Sequence, residues 1–186
     1  MAGVGEEFVE TKSVLKSTRI RFPWLFASCI GGIVAFYVIG SFEESLKQFA
    51  YLAAFIPVIM WMGGNIGTQS STIVVRGLAT GRINIRELWS VVSKELAIGI
   101  ILGLMYGVLI GAVAQLAFGS LALAFSVCCA VLSSMSIAAL VGSLVPMVFA
   151  RVNIDPAVAT GPFVTTSIDV ISVFFYFMIA TKLLGL

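Results

Sequence analysis

Apolar positions dominate this chain in long runs, and the polar positions between them divide it into spans. The first run goes from about Phe22 to Gly40, long enough to cross the ~30 Å of a bilayer's hydrocarbon core, with Pro23 suited to a first helical turn and Trp24 to the interfacial belt. A short loop carrying Glu43, Glu44 and Lys47 separates it from a second run, about Phe49 to Val75, which is longer than a span needs and predicts a tilt or a kink near Pro57. Arg76, Arg82, Arg86, Glu87, Lys94 and Glu95 then form a charged connection, with Gly81 as a turn and Ile85, Leu88 and Trp89 placed to lie on the interface. No charged residue occurs from Leu96 to Ala150, a stretch that is too long for one span and predicts two, joined near Phe118-Gly119-Ser120. The polar turn from Arg151 to Asp155 leads to Pro156, which suits the start of a last helix running to about Leu184. The pattern predicts an all-α membrane protein with five transmembrane helices, made of a short polar segment at 1–19 and one membrane domain at 20–186.

The second run is unlike the others. Its middle, Gly63-Gly64-Asn65-Ile66-Gly67-Thr68-Gln69-Ser70-Ser71-Thr72, is made of glycine and uncharged polar residues, for which lipid offers no partner. Gly64, Thr68 and Thr72 recur at four-residue spacing and so share one helical side, with Asn65 and Gln69 beside them. That side predicts a polar groove, while Gly63-x-x-x-Gly67 by itself fits close helix packing equally well. Gly99, Gly103, Gly107 and Gly111 form another four-residue series; it offers no side-chain ligand and reads as a packing strip. Ser133, Ser134, Ser136 and Ser143 can return hydrogen bonds to their own helix.

Composition narrows the class. Of 186 residues, 60% are hydrophobic and 11% charged, with a mean hydropathy of +1.10, which a soluble domain of this size could not bury. There is no histidine, and Cys29, Cys128 and Cys129 lie in apolar runs without metal-ligand spacing, so zinc, haem and histidine-based catalysis lose support. The N-terminus has acids before bases and no small-residue cleavage site, unlike a signal peptide. With the N-terminus in the cytoplasm, Lys12, Lys16, Arg19, Arg21, Arg76, Arg82, Arg86, Lys94 and Arg151 lie inside and only Lys47 and Lys182 outside; nine against two satisfies the positive-inside bias and puts the C-terminus outside.

Eight of the nine acidic residues fall in the N-terminal segment or the connections, and the ninth, Asp169, falls near the middle of the last span. A lone carboxylate there costs at least ~2.5–3.5 kcal/mol, so it should face the bundle interior and have a partner. No lysine or arginine in the apolar runs can serve, leaving a proton, a hydrogen-bonded network or a cation from solution. Gly161, Thr165 and Asp169 stack at four-residue spacing, and Pro162 removes a backbone donor and can free carbonyl oxygens. Oxygen ligands without thiolate or imidazole suit a hard cation such as Mg²⁺, Ca²⁺ or Mn²⁺. One carboxylate per chain is a thin site; two chains on a symmetry axis would place two around one ion.

PVIMWMGGNIGTQSSTIVVRGLATG, followed about 75 residues later by DPAVATGPFVTTSIDV, resembles the transmembrane domain of the bacterial Mg²⁺ channel family MgtE and its relatives among eukaryotic magnesium solute carriers. The likeness covers about residues 20 to 184. It implies five transmembrane helices per subunit, a homodimer with the ion path at or near the subunit interface, and Mg²⁺ as the main substrate. It also implies that Asp169 is the key acid of the last helix, with Gly161 and Thr165 as pore positions beside it. On the second helix the motif matches Gly64 and Asn65, with pore-facing positions at Thr68 and Thr72. Family members can carry asparagine at the positions of Thr68 and Gly161, so two amides of the family's pore are replaced here. Typical members also carry large N-terminal cytosolic Mg²⁺-sensing domains with paired CBS modules; the short segment at 1–19 reads as a minimal member or an isolated pore domain, so the resemblance does not carry over feedback closure by cytosolic Mg²⁺.

The expected function is thus a homodimeric divalent cation channel in the plasma membrane, bacterial inner membrane by type, passing hydrated Mg²⁺ into the cytoplasm. Asp169 supplies fixed charge, Thr165 and Gly161 oxygen contacts, and Gly64, Asn65, Thr68 and Thr72 the facing wall. Two alternatives are a Mg²⁺ carrier coupled to H⁺ or Na⁺ and a non-conducting membrane scaffold in which Asp169 pairs with a partner helix. Membrane lipid is the expected surrounding. No nucleophile, acid and base constellation suggests an enzyme, and the juxtamembrane bases are accounted for by topology rather than by nucleic acid.

Overall fold

The structure is a computed structural model and describes residues 13–159 and 161–185. Residues 1–12, which hold most of the expected lead-in segment and Lys12, lie outside the described residues, as do Thr160 and Leu186. Among the described residues the regular structure is helical throughout: α1 (Val14–Gly40), α2 (Glu43–Gln48), α3 (Leu52–Ala79), a 3₁₀ turn (Ile85–Glu87), α4 (Leu88–Phe118), α5 (Leu121–Arg151), α6 (Pro156–Ala159) and α7 (Pro162–Leu184).

Local chemistry sets the boundaries. The charge-free stretch divides where expected: Gly119 takes φ +67°, a conformation open to glycine without strain, and its N–H bonds to the Gln115 carbonyl to close α4. Ser120 then caps α5, its hydroxyl accepting from the Leu123 N–H at 3.3 Å. At the other end of α4 the Asn84 side chain accepts from the Arg86 N–H at 3.0 Å, and the 3₁₀ turn leads directly into Leu88.

Four boundaries differ from the sequence pattern. First, α1 begins at Val14, so the polar residues before Phe22 continue the first helix. The loop after it contains the short helix α2, held by a 2.7 Å ion pair between Lys47 Nζ and Glu43 Oε1. The Lys47 hydrogen bond and charge keep the Glu43 carboxyl below the usual range, but both side chains are largely exposed and solvent screens the pair. Third, α4 starts at Leu88, so Glu95 is a helical residue and is buried, which corrects its placement in an exposed connection. Fourth, the last helix is broken: α6 covers only Pro156–Ala159, and α7 starts at Pro162, whose ring suits a first helical position. Asp169 therefore lies seven residues, about 10.5 Å, into α7 rather than at the centre of a longer helix.

The contacts fix helix directions. α1 runs parallel to α7, with Gly31 against Thr166 and Phe42 stacked on Phe177. α3 runs antiparallel to α7, and α4 antiparallel to α5. One end of the bundle thus gathers the starts of α1, α4 and α7 with the ends of α3 and α5, and the described bases Lys16, Arg19, Arg21, Arg76, Arg82, Arg86, Lys94 and Arg151 belong to that end. Lys47 and Lys182 belong to the other.

The glycine series packs as its spacing implies. A Cβ on Gly103, Gly107 or Gly111 would stand 3.1, 2.7 or 2.8 Å from a backbone oxygen of Leu132, Cys128 or Ala124, so α4 and α5 touch through main chain. Four helical segments, Val14–Gly40, Ile85–Phe118, Leu121–Arg151 and Val164–Leu184, are long and apolar enough to cross a membrane. Large apolar side chains such as Phe26, Ile33, Ile101, Leu104 and Leu109 lie exposed on α1 and α4, a surface suited to lipid tails, and the chain is an integral membrane protein. α3, at 28 residues, is also long enough to span, but its middle carries the polar stretch.

Candidate functional site

The polar stretch of α3 crosses α7 at Asp169. Small residues allow the approach: Gly63 lies against the Ser134 and Ser172 hydroxyls and Ile168, and Gly67 against the Ile168 side chain, with a Cβ there 3.3 Å from the Ala138 carbonyl. One residue on, Gly64 faces the carboxylate, and a Cβ built on it would be 3.9 Å from Asp169 Oδ1. Between the two helices is a groove of about 590 Å³ lined by Gly64, Asn65, Thr68, Thr165 and Asp169, with Ile56, Pro57, Met60 and Trp61 forming an apolar rim. Five of the seven residues singled out from the sequence are brought together here.

The other two lie apart from the lining. Thr72 is exposed one turn beyond Thr68, where α3 has passed the groove. Gly161 is buried and caps α7; its carbonyl accepts from Thr165 Oγ1 at 3.4 Å, so it acts on the groove through Thr165. Gln69 turns to a separate cleft of about 450 Å³ with Tyr106 and Leu102, which Asn65 also borders.

The hydroxyls in the groove have a defined polarity. Thr68 Oγ1 donates its proton to the Gly64 carbonyl at 2.8 Å, and Thr165 Oγ1 donates to Gly161. What the Thr68 oxygen then offers the groove is lone pairs. Asp169 is half-buried, and among the described residues its carboxylate has neither an ion pair nor a hydrogen bond. A half-buried carboxylate beside the Thr68 oxygen and the Asn65 side chain suits a cation, or the outward-pointing protons of a hydrated one.

Below the groove a relay joins three helices. Ser134 of α5 donates to the Ile59 carbonyl of α3 at 3.2 Å and lies 2.7 Å from the Ser172 hydroxyl of α7, all buried. Ser134 thus bonds across the bundle, a correction to the expectation that the α5 serines serve only their own helix; Ser136 and Ser143 do return bonds to Leu132 and Ala139. Tyr176 of α7 adds a further tie, its hydroxyl donating to the Leu52 carbonyl at 2.9 Å. These contacts fix α7 against α3 and so fix where Asp169 points. Serine and tyrosine identity gave no signal of this role, because the pairing depends on helix crossing rather than spacing.

A larger cavity, about 660 Å³, opens at the basic end of the bundle between the α3–α4 and α5–α6 connections. Its lining acid, Asp155, accepts from the Ala157 N–H at 2.9 Å and so caps α6. The chemistry concentrates in the Asp169 groove instead.

The MgtE family model, described as a divalent cation transporter, matches residues 56–179, about two thirds of the chain, and includes both walls of the groove. The chain is 34% identical over 172 residues to the magnesium transporter MgtE of Bacillus subtilis, covering 92% of this chain and 38% of that protein. It is 35% identical over 181 residues to magnesium transporter MgtE of Enterococcus faecalis, covering 97% and 40%. The corresponding protein of Thermus thermophilus is 33% identical over 165 residues, covering 88% and 36%. The chain thus spans well under half the length of the curated relatives it matches, and over that shared part it belongs to the MgtE family of divalent cation transporters.

Proposed function

We propose that this chain forms the membrane pore of a magnesium channel, with α1, α3, α4, α5 and α7 as five transmembrane helices. The observation that carries the reading is the Asp169 carboxylate, without an ion pair or hydrogen bond among the described residues, facing Gly64 across a groove that Thr68 and Thr165 also line. Mg²⁺ holds its inner water shell tightly, so the groove would grip a hydrated ion through water protons directed at Asp169, Thr68, Thr165 and the Asn65 oxygen. Relatives named magnesium transporters support the choice of ion. Gly161 contributes by holding Thr165, and Thr72 forms the wall beyond the groove.

Asn65 and Thr68 are exposed in the single chain, and one carboxylate leaves half the charge of a divalent ion unbalanced. A second copy across a two-fold axis would close the groove and supply a second Asp169, whose repulsion with the first the ion relieves. The clustering of bases at one end supports a cytoplasmic N-terminus and an outward C-terminus in the plasma membrane. Inward movement then follows the potential, which adds ~2.3 kcal/mol per elementary charge per 100 mV.

The test is Mg²⁺ uptake into liposomes containing the purified chain, with the interior held negative. Wild type should conduct, and Asp169→Asn should lose at least about tenfold, since contacts to a charged group are worth ~1.5–3 kcal/mol. Equal uptake by both proteins would overturn the assignment of Asp169, and uptake strictly dependent on a counter-ion would replace the channel by a carrier.

A further inference from the structure

Asp169 is not the only acid inside the bundle. Glu95 of α4 is 6% exposed, and among the described residues it has neither an ion pair nor a hydrogen bond. It continues the four-residue series through Gly99, Gly103, Gly107 and Gly111, all buried, so it lies on the α4 face that packs on α5.

The helix register places it in a polar layer. Val74 of α3, Leu88 and Val92 of α4 and Met147 of α5 form one buried apolar cluster. One turn nearer the middle of the bundle, α3 carries Ser70 and Ser71, α4 carries Glu95 and α5 carries Ser143. The serines are at most 1% exposed. On the far side of this layer the helices close again through small residues, Gly67 against Gly142 and Gly99 against Ala139.

Two of these hydroxyls lack partners. Among the described residues, Ser70 Oγ and Ser71 Oγ are sealed from solvent and make no hydrogen bond, which is costly for a buried polar group. Ser70 lies on the α3 side that carries Val74 and so projects toward α4 and α5, whereas Ser71, seven residues from Gly64, lies toward α7. Ser143 donates to the Ala139 carbonyl at 2.7 Å, which leaves its lone pairs available.

We propose that this layer binds a single Na⁺ ion between Glu95 and the hydroxyls of Ser70 and Ser143. The donors are all hard oxygens, which selects a hard cation. One carboxylate balances one positive charge, whereas a divalent ion would leave a net charge in a low-dielectric interior, where it is costly. The ion would also give Ser70 the partner it lacks. Ser70 is two residues, about 200° of helix rotation, from Thr68, so this site and the Asp169 groove use different sides of α3.

The test is thermal unfolding of the purified chain in Mg²⁺-free detergent solution, in NaCl and in choline chloride of equal ionic strength. Wild type should melt about 2–4 °C higher in Na⁺, as expected for an ion that binds only the folded state. Asp169→Asn should keep that difference and Glu95→Gln should lose it. Equal melting of wild type in both salts, or a difference that survives Glu95→Gln, would overturn the proposal. Should Glu95→Gln fail to fold, Ser70→Ala serves instead: the Na⁺ difference should shrink, and an undiminished one would overturn the site. A Na⁺ effect abolished by Asp169→Asn alone would place the ion in the groove and equally overturn it. The readout requires no transport, so a failed flux assay leaves this result standing.

Discussion

Gly64 and Asp169 face each other where α3 crosses α7, and a methyl group on Gly64 would stand 3.9 Å from the Asp169 carboxylate with nothing nearer. That is ordinary contact distance, so the space is open groove rather than a packing seam. Gly67 and Gly142 present the opposite case: a Cβ on Gly142 would run into the Gly67 carbonyl oxygen and stand 3.0 Å from its Cα.

The contrast gives a paired prediction. Gly64→Ala should fold as well as wild type or slightly better, since alanine is favoured over glycine in a helix by about 0.5–1 kcal/mol, yet should lower Mg²⁺ uptake by narrowing the groove. Gly142→Ala should lose about 1–3 kcal/mol because α3 and α5 must separate. Thermal unfolding and liposome uptake on both variants check this. Comparable destabilisation in Gly64→Ala would mean that the groove is a packing surface.

The serine relay gives an ordered effect. Ser134 has one hydroxyl proton and donates it to the Ile59 carbonyl, so Ser172 is the donor in the 2.7 Å pair. Ser134→Ala removes two bonds and strands the Ser172 hydroxyl; Ser172→Ala removes one. The first should therefore be the more destabilising, with a coupling of about 1 kcal/mol in a double-mutant cycle followed by unfolding in detergent. Additive effects would show that the pair does not act as a relay.

The groove was legible in the sequence for specific physical reasons. Asp169 stands out because a carboxylate in an apolar run is costly and rare, and Gly64, Thr68 and Thr165 because four-residue spacing puts them on faces that include an acid or an amide. Among the described residues, four of the five apolar runs form helices apolar enough to cross a membrane, and the second forms α3 with its polar middle. Glu95 was not legible as a buried residue, because Trp89 and Lys94 nearby mark an interface and the helix simply continues through it. The signal available was its place one step before Gly99 in the glycine series. The break before Pro162 was hidden for another reason: proline is tolerated both inside a membrane helix and at its first position, and Gly161 before it decides for the second. Ser134 could bond within its own helix or across, and only the crossing with α3 and α7 selects the latter.

Thr68 separates lone-pair chemistry from shape. Its hydroxyl proton is committed to the Gly64 carbonyl at 2.8 Å, so the groove receives an acceptor and a methyl group. Thr68→Val keeps the β-branched shape and removes the oxygen, leaving the Gly64 carbonyl with its backbone bond alone. Thr68→Ser keeps the oxygen and loses the methyl. If hydrated Mg²⁺ donates a water proton to this oxygen, Thr68→Val should lower uptake about 2- to 10-fold, the worth of one neutral hydrogen bond, while Thr68→Ser stays near wild type. Uptake reduced by Thr68→Ser but preserved in Thr68→Val would mean that the methyl group, and hence groove width, matters at this position. Both variants should melt within about 1 kcal/mol of wild type, since Thr68 is exposed and supports no buried contact.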